Sequence, residues 1–358
     1  MKKQRIILAA SMLLVAIISS AQEKELRWVD PVAAGAQVHG QGWEELSGTF
    51  VRLPDKAESM VRKAVWDLSR NSAGLSLVFC TDAGEITVRY KVKGSLNMFH
   101  FPTTGVSGVD MYAMGPGRKA LWCAPVFTPK FGEYITYEYK ELNGSREYQL
   151  LLPTYNTIES LEIGVPADAT LDFVPRSGRK PVVVYGTSIA QGACASRPGN
   201  AWTSIVGREL DIPVVNLGFS GNGRLEPEIF ELLAEIDAAV YVIDCLPNMD
   251  VSNDIEGLLT EGIGILRRTH GCPIILVEHS GTCSEYTSGL RTQYIELNRR
   301  QKQTYDSMRK SGVRKLYYIT HKEIYPGMDG QVEGVHLNDM GMHKQAAAVV
   351  RKLRKVLP

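Results

Sequence analysis

The first half of the chain alternates in polarity. In Glu85-Ile86-Thr87-Val88-Arg89-Tyr90-Lys91-Val92 every second side chain is apolar, which places one face of a strand on a core and the other in water. Similar short runs at Leu75–Cys80, Lys119–Pro125, Ile135–Tyr139, Glu147–Leu152 and Ser160–Val165 predict further strands. Turn-forming residues separate them, as in Asp82-Ala83-Gly84 and Asn143-Gly144-Ser145. Many short strands with no helical pattern between them predict a β-sandwich of jelly-roll type.

At Val174-Pro175-Arg176-Ser177-Gly178-Arg179-Lys180 the composition turns polar and turn-prone. Beyond it the rhythm changes to strand, loop and helix, repeated. Near-continuous apolar runs at Pro181–Tyr185, Val214–Leu217, Ala238–Ile243, Pro273–Val277 and Leu316–Ile319 predict five strands. Between them, helical spacing covers Ala201–Leu210, Glu226–Ile236, Asn253–Thr269, Leu290–Ser311 and Met340–Val356. Apolar strands alternating with helices predict an α/β domain with a parallel sheet buried on both faces. The expected division is therefore a sandwich over residues 22–178 and an α/β domain over 179–358. In such a sheet a ligand binds beyond the carboxyl ends of the strands.

The start of the chain changes the expected setting. Met1-Lys2-Lys3-Gln4-Arg5 precedes an apolar run from Ile6 to Ile18 and the small residues Ser19-Ser20-Ala21, the pattern of a cleaved export signal over residues 1–21. The apolar run is too short to span a bilayer comfortably, so secretion or a periplasmic location is expected, without stable membrane insertion. That segment holds three basic residues and no acid, so its removal moves the net charge from +1 to −2. A near-neutral chain has no electrostatic reason to bind nucleic acid. The six cysteines (Cys80, Cys123, Cys194, Cys245, Cys272, Cys283) show neither zinc-type pairs nor disulfide-scaffold density. They are expected to be mostly buried free thiols, with a Cys272–Cys283 bridge permitted in an oxidising compartment.

Candidate chemistry lies at the predicted strand ends. The first strand of the second half runs into Gly186-Thr187-Ser188, where a serine hydroxyl can project into the crevice. The second runs into Gly218-Phe219-Ser220-Gly221-Asn222-Gly223, whose glycines let backbone amides approach a bound oxygen. The third ends in Asp244-Cys245-Leu246-Pro247-Asn248, and the Asn248 amide can donate to the same oxygen. The last loop holds Glu333-Gly334-Val335-His336, a carboxylate three residues before an imidazole it can orient. Taken singly, each also reads as a cap, a turn or an inert surface histidine. Their shared edge is what gives them weight.

These residues resemble the SGNH (GDSL-like) hydrolase superfamily. Gly186-Thr187-Ser188-Ile189 is similar to its nucleophile block, with Thr187 where many members carry Asp. Gln191-Gly192-Ala193-Cys194-Ala195-Ser196-Arg197-Pro198-Gly199 resembles a branch often paired with a sandwich, and Gly108-Val109-Asp110-Met111-Tyr112 is similar to that sandwich's Gly-x-Asp-Leu-Tyr motif. The resemblance implies a flavodoxin-like three-layer domain after the sandwich. It also implies a serine esterase without metal or organic cofactor. Ser188 would be the nucleophile and His336 the base, with the Ser188 and Gly221 amides and the Asn248 side chain as oxyanion donors. The family usually places Asp where this chain has Glu333, so Asp329, Asp339 (more simply a helix cap) or no acid compete for that role.

Other residues offer alternatives. Glu278 and His279 close the fourth strand at the same edge, and His279 is a rival base. Tyr112, Trp202 and Arg197 can contact substrate or serve a domain interface. His39, His100, His270, His321 and His343 show no metal-ligand spacing and read as non-functional; Met340-Gly341-Met342 reads as a helix start. The expected reaction is hydrolysis of a short-chain acyl or acetyl ester, on a small molecule or polysaccharide. An acyltransferase, a lipid or thioester acylhydrolase, and an inactive glycan-binding protein are the alternatives.

Overall fold

The alternation in the first half folds into two antiparallel sheets. The structure, a computed structural model, describes residues 25–126, 129–144, 146–282 and 288–357. The expected export signal at residues 1–21, Cys283 with its bridge, and Ser145 of one expected turn lie outside the described residues. In chain order the strands are β1 (Leu26–Val29), β2 (Ser76–Thr81), β3 (Ile86–Val92), β4 (Asp110–Met114), β5 (Ala120–Cys123), β6 (Lys130–Phe131), β7 (Ile135–Tyr139), β8 (Arg146–Leu151), β9 (Ile158–Pro166) and β10 (Asp172–Phe173). One sheet runs β1-β9-β3-β7-β6, the other β10-β2-β8-β4-β5. Ile86, Val88 and Tyr90 of β3 are fully buried and join Leu77, Phe79, Met111, Tyr148 and Leu150 of the opposite sheet in one core, as in a sandwich. Two short helices, α1 (Lys63–Ser69) and α2 (Thr103–Val106), interrupt the strands, where the sequence pattern led us to expect none.

The second half forms a parallel sheet of β11 (Val182–Gly186), β12 (Val214–Gly218), β13 (Val240–Asp244), β14 (Ile274–Val277) and β15 (Leu316–Ile319). Its order is β12-β11-β13-β14-β15. The helices that follow the first half are α3 (Ser188–Gln191), α4 (Trp202–Leu210), α5 (Pro227–Leu233), α6 (Ile255–Thr269), α7 (Ser288–Lys310), α8 (His321–Ile324) and α9 (Asp339–Val356). Trp202 and Ile205 of α4 pack with Ala346 and Val349 of α9 against one face of the sheet. Phe230 of α5, Leu259 and Ile263 of α6 and Leu297 of α7 cover the other. β11 lies where the strand order reverses, so its carboxyl end opens at the topological switch point. Ser188 begins the helix directly after it.

The two halves do not separate at residue 178 as cleanly as composition implied. Trp43, Leu46, Leu53, Ala57 and Val65 are all buried, and they belong to the core of the parallel-sheet half beside Leu225, Phe230 and Ile236. Arg52, also buried, donates from Nη1 to Gly218 O (2.6 Å) and Asn216 O (3.3 Å), and so covers carbonyls of β12, an edge strand. The five described cysteines are free, but only Cys194 and Cys245 are buried; Cys80 is exposed because it sits on an outward position of β2. Among the described residues no helix is long and apolar enough to cross a membrane.

Candidate active site

The turn after β11 is held by close backbone packing. Thr187 is extended and caps α3, its Oγ1 accepting from Ile189 N at 3.3 Å. Gly223 lies so near the end of β11 that a Cβ there would stand 2.0 Å from Gly186 O; only glycine fits. Ser188 is therefore presented at the start of α3 with 5% of its surface exposed.

The loop before α9 brings the second partner. Val332 N donates to His336 O (2.9 Å), Asn338 N to Gly330 O (3.1 Å), and Asn338 Oδ1 caps α9 through Gly341 N. Within this tight loop Glu333 Oε1 accepts from His336 N (2.8 Å) and pairs with His336 Nδ1, while Oε2 accepts from Val335 N (3.2 Å). His336 Nε2 stands 2.8 Å from Ser188 Oγ. Burial by itself would raise the Glu333 carboxyl, but the His336 and Val335 donors outweigh it and hold the group below the usual carboxylate range. An anionic carboxylate, an imidazole and a hydroxyl thus stand in line.

The loop after β12 closes the third side. Gly221 has φ +68° with open space where a Cβ would lie, and among the described residues its N–H meets no acceptor. Gln191, fully buried, steadies this loop by accepting from Ser220 N at 3.0 Å. The Asn248 amide, oriented by its hydrogen-bond network, accepts from Asn222 N (2.9 Å) and Gly223 N (3.0 Å) through its oxygen. Its Nδ2 is left facing acceptors.

Several sequence expectations resolve here. Asp329 contributes only its carbonyl, to Asn338 Nδ2. Asp339 is not the helix cap; Asn338 is, and Asp339 instead binds Ser196 N (2.8 Å), Ser196 Oγ (2.5 Å) and Asn200 Nδ2 (2.8 Å). His279 accepts from Gly281 N (2.8 Å) and stacks on Tyr294. Burial pushes it down to about 4, and Glu278 accepts from His321 N, so both face other partners. Trp202 is wholly buried core. Arg197 and Tyr112 sit at the junction of the halves: Arg197 Nη1 pairs with Asp110 and lies 2.5 Å from Tyr112 OH.

His100, read from sequence as non-functional, lies beside His336. Its ring centroid lies 5.2 Å from that of His336 and 4.3 Å from that of Phe99, which is 97% exposed. Tyr155 OH reaches Ser188 O at 3.4 Å. Both come from the first half, so the sandwich borders the site. No local pattern marks them; only the packing of distant loops brings them there. A cavity of about 380 Å³ between the second sheet and α4 is lined by Arg118, Glu147 and Arg208 and does not include Ser188.

Residues 179–354 match the GDSL-like Lipase/Acylhydrolase family, and residues 26–171 match GxDLY, the N-terminus of Esterase_SGNH_hydro-type proteins. A candidate GDSL-like lipase from Bacteroides ovatus is similar over 93% of this chain and 98% of its own, with 29% identity and a TM-score of 0.85. A salicylyl-acyltransferase from a tetracycline biosynthetic pathway shares the fold at 19% identity and TM-score 0.70, over 92% of this chain and 97% of its own. A family two carbohydrate esterase from Clostridium thermocellum, solved with cellohexaose, shares it at 16% identity and TM-score 0.52, over 79% and 92% respectively. No curated protein matched the chain.

Proposed function

Because residues 179–354 belong to the GDSL-like lipase/acylhydrolase family and residues 26–171 to the N-terminal module of SGNH-type esterases, we propose that this protein hydrolyses short-chain acyl esters, chiefly acetyl esters of a glycan, through Ser188. The observation that carries the reading is the line Ser188 Oγ, His336 Nε2, His336 Nδ1, Glu333 Oε1. His336 takes the Ser188 proton as Oγ attacks the ester carbonyl, and Glu333 holds the ring and balances the imidazolium. The Ser188 and Gly221 amides and Asn248 Nδ2 donate to the oxyanion. The imidazolium returns its proton to the leaving alkoxide. Water, deprotonated by the same imidazole, then releases the acid and restores Ser188. No step calls on a metal or organic cofactor.

The fold is shared with a carbohydrate esterase solved with cellohexaose. Phe99, adjacent to His100 and with its ring against that imidazole, also offers an exposed aromatic face. The apolar start of the chain fits an exported enzyme meeting such a substrate outside the cytoplasm. The test is acetate released from acetylated xylan by the wild type and by Ser188→Ala. We expect a loss of at least ~1,000-fold in the variant. Unchanged turnover would sink the nucleophile; lipid-ester cleavage without acetate release from any acetylated glycan would overturn the substrate class.

A further inference from the structure

A second constellation overlaps the site: it shares His336 and adds two residues, His100 and Cys194, that take no part in the ester chemistry. His100, Cys194 and His336 each offer one ligand atom, and these atoms lie within 4.8 Å of one another. The three reach the same point from separate places: the sandwich segment before α2, the turn after α3, and the loop before α9. Among the described residues His100 Nδ1 is buried and has no hydrogen-bond partner, a state that needs an explanation. Cys194 is 4% exposed, and among the described residues its thiol meets only His100 O, at 3.6 Å. Its backbone has φ +66°, a left-handed conformation costly for a residue with a Cβ. The fold thus holds an unsatisfied imidazole nitrogen and a weakly engaged thiol against a second imidazole.

Two imidazoles and a thiol are donors that suit zinc and not magnesium or calcium. Three protein donors leave a fourth tetrahedral position for water. We propose that His100, Cys194 and His336 bind a zinc ion that reversibly switches the enzyme off. On binding, Cys194 releases its proton to solvent and forms the sulfur–zinc bond, and His336 commits one ring nitrogen to the metal. That nitrogen is lost either to Ser188 or to Glu333. The serine proton then has no oriented acceptor. The inhibition, though not the binding, rests on the reading of His336 as the base.

The test titrates metal-free protein with Co²⁺ as a spectroscopic stand-in and then with Zn²⁺. Binding gives a thiolate-to-cobalt charge-transfer band that zinc abolishes. Zinc suppresses turnover of an aryl acetate, and a chelator restores it. Cys194→Ala keeps the metal-free turnover, loses the charge-transfer band and weakens zinc inhibition by at least about tenfold. His100→Gln, as a second variant, weakens inhibition similarly while the band, now from fewer ligands, also weakens. Absence of the band in the wild type overturns the site; a band without inhibition overturns the switch; inhibition unchanged in both variants places the zinc elsewhere and overturns the assignment. Inert metal-free protein would strike the proposed esterase activity instead, because the cobalt band is read without turnover.

Discussion

Glu333 is one methylene longer than the aspartate expected at its spacing, and the loop from Val332 to Leu337 absorbs the difference. The carboxylate folds back on the His336 and Val335 N–H groups while still meeting His336 Nδ1. Glu333→Gln keeps the length but removes the charge and can hold the wrong tautomer. We expect kcat to fall by about 10²–10⁴-fold with a smaller change in KM, read on an aryl acetate. The lowered Glu333 carboxyl also sets a sign. A depressed carboxyl adds stability above the pH where the unfolded group ionises and loses it as pH falls through the folded value. The gap in Tm between wild type and Glu333→Gln should therefore be open at neutral pH and close on acidification below the usual carboxylate range. A gap that widens in acid would contradict it. Ser188, Glu333 and His336 were legible because Ser188 comes directly after a predicted strand and Glu333 stands three residues before His336 in the loop before the last helix. His100 was not, because its place depends on how a sandwich loop meets a loop from the far end of the chain.

The turn after α3 shows how elements are joined. Asp110, at the start of β4 and 3% exposed, accepts from Gly199 N (3.0 Å) and Trp122 Nε1 (2.7 Å) and pairs with Arg197. From the other side Asp339 of α9 holds Ser196 and Asn200. One short segment is thus clasped between the sandwich and the helix that follows His336. Asp110→Asn leaves Arg197 without its carboxylate partner, so stability should fall by about 2–4 kcal/mol. Chemical denaturation measures it, and hydrogen exchange should quicken at the Gly199 amide. Wild-type stability in the variant would reject the clasp. The motif Gly108–Tyr112 was visible in the sequence, but the strand that carries it was not. Met111 and Ala113 enter the sandwich core while Asp110 and Tyr112 are buried by the second half. With both faces covered, the polar–apolar alternation that marks a half-exposed strand fails.

At the scale of the whole molecule the question is whether the two halves are separable. β12 is one of the two edge strands of the parallel sheet, and an uncovered edge invites pairing with other chains. Here Arg52 covers it. Its guanidinium also reaches Asn71 O (2.9 Å) and Leu68 O (2.5 Å) and lies over Phe219. Burial lowers this group to about 9, so it stays charged at neutral pH and its donors remain in force. Trp43, Leu46, Leu53 and Val65 complete the same core, which no composition change near residue 178 reveals, because a boundary read from sequence marks where the chain crosses over and not which side each segment packs on. Residues 179–358 made alone would expose that apolar face, the β12 edge and the Gly218 carbonyl just before the Gly221 loop. We expect the intact chain to unfold in a single calorimetric transition, and the isolated second half to aggregate and to lose ester turnover even where it stays soluble. Two well-separated transitions, or a soluble second half with full activity, would show instead that the first half is an accessory and not part of the fold that builds the site.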